Sequence, residues 1–363
     1  MKIVDVKATT HCIPVRVPLI EEPIDREVVF VRLETDQGIT GFGMTSQTLR
    51  FSVKEFINRE LGPYITGRDP MDTERLWSDM YLKFNQRGTS GTVQGGISAV
   101  DIALWDAKGK FLNQPVWRLL GGYSAKVPAY ITFGLPEYSR EQLVEVARML
   151  VSQGQDKLKM VVAIDGGRNV PEDAARVKAV RESIGDGVEL MVDANQLFDS
   201  MQARDLCYRI EQYNIKWFEE PISANDVWAL SELRKHTRIP ISAGQNEGHI
   251  WRHRDLIVNG SVDIVQPNVL FVGGYSGGIK VAHLAQAFSL PIANGAGWPH
   301  HNAHLHAAVP NGWRVEFHYV MWMTGEAVFV NPPGPVAGWT TLTETPGLGL
   351  EPNEALLKDT LEQ

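Results

Sequence analysis

The chain has 363 residues, 44% of them hydrophobic and 21% charged, an ordinary globular composition. A formal net charge of −8 without any basic block argues against a nucleic-acid or anionic-membrane partner. Two cysteines, Cys12 and Cys207, lack metal-ligand spacing and fit free thiols in a reducing cytoplasm; the opening MKIVDVKATTHCIPV has no signal-peptide core, and no run is long enough to span a bilayer.

In chain order, EVVFVRLET and ITGFGM flank Asp36-Gln37-Gly38, a hairpin signal. Three helical patterns follow, SVKEFINRELGPYI, PMDTERLWSDMYLKF and GISAVDIALWDAKGKFL. Pro70 marks a start, and Gly121-Gly122 a stop. Residues 1–125 therefore read as an α+β domain.

The rhythm changes at Lys126. Short β-rich runs alternate with amphipathic segments: KVPAYITF, KLKMVV, VELMVDAN, IKWFEEP, IPISAGQNE, VDIVQPN, LPIANGA and WRVEFH. Eight βα units over residues 126–325 predict an α/β fold of the (β/α)8 TIM-barrel type. The tail, 326–363, has Pro and Gly turns and one last helix, and is expected to pack back on the first domain.

Active sites of such barrels lie at the C-terminal ends of the strands. The third strand ends in Asp193, the fourth in Glu219, and the fifth in Gln245-Asn246-Glu247. Asp193 to Glu219 is 26 residues, and Glu219 to Gln245 is 26 again, so these positions are equivalent on successive units. Oxygen-rich side chains gathered at one mouth repel one another unless a hard divalent cation joins them, and Mg²⁺ suits such ligands. Glu220 should face the other side of its strand and meet a base such as Lys216 or an arginine.

Lys157 and Lys159 share one face of the second strand. A lysine beside a metal in a mouth of low dielectric constant can be lowered enough in pKa to act as a base. The eighth strand carries Glu316 and His318. After the seventh come His300, His301, His304 and His306. Without an HExxH pattern these do not read as a zinc site, and His300 or His301 is the expected proton donor or substrate contact. VGGYSGG (272–278) matches neither dinucleotide nor P-loop spacing; it reads as a tight βα turn whose amides could hold a carboxylate.

Taken together, GFG after the hairpin, SAVDIALWDAKGK (98–110), VDAN (192–195), WFEEP (217–221), VDIVQP (262–267) and PGLGLE (346–351) resemble the mandelate racemase/muconate lactonizing enzyme group of the enolase superfamily. The resemblance runs over nearly the whole chain. It implies a capping α+β domain over the barrel, Mg²⁺, and abstraction of the proton α to a carboxylate with a metal-stabilised enediolate. Asp193 and Glu219 are the implied metal ligands. Relatives are commonly oligomers, so a homo-oligomer is expected.

Three departures from the group's pattern matter. The fifth strand reads Gly244-Gln245-Asn246-Glu247 where the group has Gly-Glu-Asn; Glu247 is favoured as third ligand, because an anion binds Mg²⁺ better than an amide. Counting from Gly154 puts the catalytic lysine on Lys159 and its partner position on Val161, while a shift of two would use Lys157 and Lys159. The Asp–His dyad of many members is replaced by Asn268 and Asn294. A racemase needs a base on each face, whereas a dehydratase or lactone cycloisomerase works with one base and a nearby acid.

The expectation is dehydration of a small sugar acid to a 2-keto-3-deoxy acid by a cytoplasmic lyase. Lys159 would be the base, with His300, His301 or Glu316 assisting, and Lys157, Asn195, Gln245, Asn268 and Asn294 contacting substrate. A racemase, epimerase or cycloisomerase is the alternative, and a non-catalytic carboxylate binder a further one. A metal hydrolase is disfavoured because KVPAYITF has no HxH.

Overall fold

The structure, a computed structural model, describes residues 1–46, 49–84 and 90–362. Strands β1 (Ile3–Val15), β2 (Ile24–Thr35) and β3 (Thr40–Thr45) form an antiparallel sheet in that order. The β2–β3 turn holds Gly38 at φ 71°, as the Asp-Gln-Gly signal requires. Against this sheet lie helices Thr73–Phe84 and Thr92–Phe111. The GFG of β3 is explained here. A Cβ on Gly41 or Gly43 would sit 2.1 Å from the Ala103 carbonyl oxygen or 1.9 Å from that of Ala99, so only glycine lets the helix backbone come so close. A short helix, Val116–Leu120, intervenes before Gly121-Gly122.

Eight parallel strands then close a barrel: β4 (Lys126–Gly134), β5 (Lys157–Val161), β6 (Glu189–Asp193), β7 (Ile215–Glu219), β8 (Ile241–Ala243), β9 (Ile264–Val265), β10 (Ile292–Ala293) and β11 (Gly312–His318). Closure is the β11–β4 pairing, with Glu316 opposite Tyr130 and His318 opposite Thr132. Tyr130, Met191, Trp217, Ile264 and Ala293 form an apolar plug inside it, separate from the outer core that the helices cover. The charged layer at the mouth rests on this plug.

The tail divides its attachments. Helix Tyr319–Val328 runs through residue 325, so the expected boundary there falls inside an element. Next, β12 (Phe329–Val330) pairs with β14 (Glu351–Pro352), while β13 (Trp339–Thr341) pairs antiparallel with β4 of the barrel. The last residues return to the first sheet: the Glu362 amide donates to the Thr10 carbonyl at 2.9 Å, and Arg50 Nε lies 2.6 Å from Glu362.

VGGYSGG is where the first domain docks on the barrel. It opens helix Gly274–Ala287, and the carboxylate its amides hold is the protein's own Asp101, whose Oδ2 accepts from the Ser276 amide at 2.9 Å. Gly274 has φ 71°, and a Cβ there would lie 2.2 Å from Asp101 Oδ2. Trp77 Nε1 donates to the Gly273 carbonyl at 2.8 Å, and the Gly273 amide to Ser98 Oγ at 2.9 Å.

Asp101 is fully buried, and its Oδ1 has no partner among the described residues. Burial pushes its carboxyl up to about 7 from the usual 3.8, against the pull of Ser276 and Lys280. Between those values the native state holds a proton that the unfolded chain releases. The stabilisation is therefore full below the unfolded pKa and is lost as the pH rises through about 7. Asp101→Asn stays neutral and keeps an oxygen for the Ser276 amide. The loss of unfolding free energy from pH 5 to pH 8 should shrink by about 2–3 kcal/mol in the variant. Urea titrations at both pH values test this, and an undiminished loss would refute it.

Candidate active site

Strand pairing places Asp193 beside Glu219 at the ends of β6 and β7. Between them and Glu316 of β11 lies the ammonium of Lys159. Its Nζ is 2.6 Å from Glu219 Oε1, 2.8 Å from Glu316 Oε1 and 3.0 Å from Asp193 Oδ2. All four side chains are buried. Burial pulls the Lys159 pKa down, but the three carboxylates outweigh it and hold the group well above the usual lysine range. Burial, followed by the Asp193 charge, pushes Glu219 well above the carboxylate range, with Lys159 opposing. Burial also raises Glu316, but Lys159 and His318 prevail and leave it lowered. One ammonium thus serves three carboxylates, and the cluster keeps an excess of negative charge.

Glu316 is held further by the Thr132 hydroxyl and by the Gly297 amide at 2.6 Å. Glu219 Oε2 accepts from Trp217 Nε1 at 3.2 Å. Lys159 therefore sits beneath the mouth and is not part of the cavity wall. Val161, one pleat nearer the mouth on the same face, pairs with Asp193. The position from which a lysine would reach the cavity is thus apolar. The expected lowering of the Lys159 pKa is reversed here, because its nearest neighbours are anions.

Glu220 departs from expectation. It has φ 40°, is buried, and meets no base. Four amides surround its carboxylate: Gln196 Nε2 at 3.0 Å, Asn225 Nδ2 at 2.9 Å, Gln245 Nε2 at 3.0 Å and Asn246 Nδ2 at 2.8 Å. Burial raises its pKa, and the amides moderate the rise. Lys216 lies elsewhere, over the Trp313 ring.

This network orients Gln245. With Nε2 donated to Glu220, Oε1 turns to the barrel axis. A Cβ on Gly295 would meet Gln245 Oε1 at 2.5 Å and Glu219 Oε1 at 2.7 Å, so the glycine leaves room for both oxygens. Glu247, the expected third ligand, has turned away. Its Oε2 takes Arg252 Nε at 3.0 Å and its Oε1 takes Asn225 Nδ2 at 3.1 Å. The third oxygen at the mouth is therefore the amide of Gln245. No three His, Cys, Asp or Glu side chains form a metal-holding group among the described residues. Two carboxylates and one amide oxygen do converge, with negative charge to spare, and a hard divalent cation fits that donor set.

Above them is a cavity of about 340 Å³, of the size of a small-ligand site. Asp193, Asn195, Gln245, Glu316, His318 and Arg26 line it, along with residues of both domains. Several expected contacts are absent from its wall. Lys157 lies at the opposite end of β5, bound to Asp156 at 2.6 Å. Asn268 Nδ2 donates to the Gly295 carbonyl at 2.7 Å, and its Oδ1 accepts from the Leu270 amide at 3.0 Å. Asn294 Nδ2 donates to the Gly297 carbonyl at 2.9 Å, and its Oδ1 accepts from the Glu316 amide at 2.7 Å. The two asparagines hold the loop after β10, on which Glu316 leans.

His300 and His301 are also out of reach. Both are buried in helix Pro299–Ala308, packed against Phe329. Burial pushes His301 down to about 3. The histidine at the cavity is His318, two residues after Glu316 and on the same face of β11. Its Nδ1 is buried without a partner among the described residues. Burial lowers it to about 4, with Lys159 and Arg26 adding to the fall and Glu316 and Asp193 opposing. The i, i+2 spacing from Glu316 was a usable sequence signal for His318. Arg26 lies in LIEEPIDRE (19–27), a polar, charged segment expected to cover the site, but nothing in the sequence singled out this residue within it.

Residues 1–121 match the family model for the mandelate racemase/muconate lactonizing enzyme N-terminal domain, and residues 142–356 match the enolase C-terminal domain-like model. An arabinonate dehydratase of Saccharolobus solfataricus is 31% identical over 348 residues, covering 91% of this chain and 89% of its own. A 3,6-anhydro-alpha-L-galactonate cycloisomerase of Streptomyces coelicolor is 30% identical, covering 90% and 89%. A racemase from Streptomyces coelicolor A3(2), solved with bound magnesium, superimposes with a TM-score of 0.91 at 29% identity, covering 99% of this chain and all of that one. The two domain matches, in the order the motifs imply, show that the chain belongs to the mandelate racemase/muconate lactonizing enzyme group of the enolase superfamily.

Proposed function

We propose that this protein is a Mg²⁺-dependent lyase that dehydrates a small sugar acid to a 2-keto-3-deoxy acid. The observation that carries this reading is the convergence of Asp193, Glu219 and Gln245 oxygens beneath a polar cavity that holds one neutral histidine. The arabinonate dehydratase relative and the magnesium-bound structural neighbour support it. Asp193, Glu219 and Gln245 would hold Mg²⁺, whose charge lowers the cost of negative charge on the substrate carboxylate.

The protein's own groups divide the remaining work. His318 takes the α-proton, since it lines the cavity and is uncharged at neutral pH. The C–H electron pair passes into the carboxylate as an enediolate. Its collapse expels the β-hydroxyl, and the proton on His318 leaves with it as water. The resulting enol tautomerises to the 2-keto-3-deoxy acid. Lys159 stays charged and keeps Asp193, Glu219 and Glu316 together. One histidine acting on one face suits elimination. It does not suit racemisation, which needs a proton donor on each face, and Asn268 and Asn294, the positions of the implied dyad, are committed to backbone groups.

The cycloisomerase relative supports a second reading with the same first step and a different leaving oxygen. Proton NMR of pooled aldonic and aldaric acids in D2O, with Mg²⁺ and then with chelator, separates the two. Dehydration predicts chelator-sensitive loss of an α-proton signal and new keto-deoxy resonances. Exchange without dehydration, or no change for any acid, would sink it. His318→Asn should slow α-proton loss by about 10²–10⁴-fold. Wild-type exchange in this variant would return the role of base to Lys159. Lys159→Met should lower stability by about 3–5 kcal/mol at neutral pH. The deficit should shrink on acidification, as the stranded carboxylates take up protons.

A further inference from the structure

Arg26 makes no ion pair among the described residues. It stands near the start of β2, with its guanidinium carbon 5.9 Å from the centre of the Trp298 ring, and it lines the same cavity as Asp193, Glu316 and His318. Its Nε is buried without an acceptor, and no carboxylate lies within 4 Å of it among the described residues. The adjacent acid, Glu27, belongs to Arg50, whose Nη1 is 2.5 Å away. Arg50 is neutralised twice, since Glu362 binds its other edge at 2.6 Å. The cavity acids are committed as well, Glu316 to Lys159, Thr132 and the Gly297 amide, and Asp193 to Lys159 and the Asn195 amide.

Arg26 is half-buried, and a guanidinium that is partly desolvated without a counter-charge is destabilising, so such groups are normally paired. The cost is recovered if the ligand brings the anion. A guanidinium offers a planar fork that a carboxylate matches with two charge-assisted hydrogen bonds, whereas a sugar hydroxyl meets it with one neutral oxygen. The cavity would then have two poles. At one, Asp193, Glu219 and Gln245 face the carboxylate whose α-proton is lost. At the other, Arg26 faces the far end of the substrate.

Resting on the dehydratase reading, we propose that the substrate is an aldaric acid, a sugar acid with a carboxylate at each end, and that Arg26 binds the distal carboxylate. The selectivity would be against aldonic acids, whose far end is a neutral alcohol. These would leave the half-buried Arg26 unpaired.

The test compares kcat/KM of the Mg²⁺-loaded enzyme for six-carbon aldarates and for aldonates of matched configuration. The wild type should favour the best aldarate by about 100-fold or more, the usual worth of a buried charge-assisted pair. Arg26→Gln should collapse that ratio to within about 3-fold, and Arg26→Lys, which keeps the charge but loses the fork, should fall between them. Thermal shift of the wild type with each acid gives a readout independent of turnover and of how the variants fold. Aldarates should raise the melting temperature at concentrations where aldonates do not. Equal use of both acid classes, or an unchanged ratio in Arg26→Gln, would overturn the assignment while leaving dehydration standing. If neither class is bound or converted, the dehydratase reading itself fails.

Discussion

The mouth of this barrel depends on one ammonium shared by three carboxylates. Lys159 brings Asp193, Glu219 and Glu316 to within 3.0 Å of a single nitrogen, in a layer where no side chain is exposed. Without that charge the three acids could not sit so close in so dry a place. With it they remain close, even though burial and the Asp193 charge push Glu219 toward its neutral form, and the acids still outnumber the one positive charge. The remainder is what makes the site a receptor for a divalent cation and for a substrate whose own negative charge grows during reaction. A group that holds the acids in this way is poorly suited to giving up its proton, which moves attention to the histidine that faces the cavity.

A second layer of support surrounds the first. Four side-chain amides enclose Glu220, and one of them belongs to Gln245, so the network that buries Glu220 also turns an oxygen toward Glu219. Asn268 and Asn294, at the positions of a proton-transferring dyad in many relatives, here tie down the loop that presents the Gly297 amide to Glu316. The carboxylate layer is correspondingly rigid, and the reactive choices fall to the groups above it.

Those groups come from both domains. The first domain docks through Asp101 at the amino end of helix Gly274–Ala287, and through Trp77 and Ser98 at Gly273, while the tail ties the outer sheet through Arg50 and Glu362. Docking brings Arg26 to the cavity that Asp193 and Glu316 line. The barrel supplies the carboxylates and the histidine at the cavity, and the cap supplies its guanidinium. The cavity wall is therefore built from two domains, which lets barrel and cap contribute different groups to it.

Much of the fold was legible in the sequence. Eight β-rich runs at βα spacing determined the barrel, and the two intervals of 26 residues placed Asp193, Glu219 and Gln245 at equivalent strand ends. Those signals are local, and periodicity carries them. The sequence did not show that Glu247 turns to Arg252, that His300 and His301 are buried behind the barrel, or that Glu220 finds amides instead of a base. Each of these depends on which neighbour a side chain meets, and a loop of two or three residues reverses that without changing composition. Arg26 is the extreme case. It lies 167 residues before Asp193, on another domain, and only the docking of cap on barrel brings the two to one cavity. The sequence determined the strands, their order and the acids at their ends; the tertiary structure decided which charges are paired, because pairing is a property of neighbours in space.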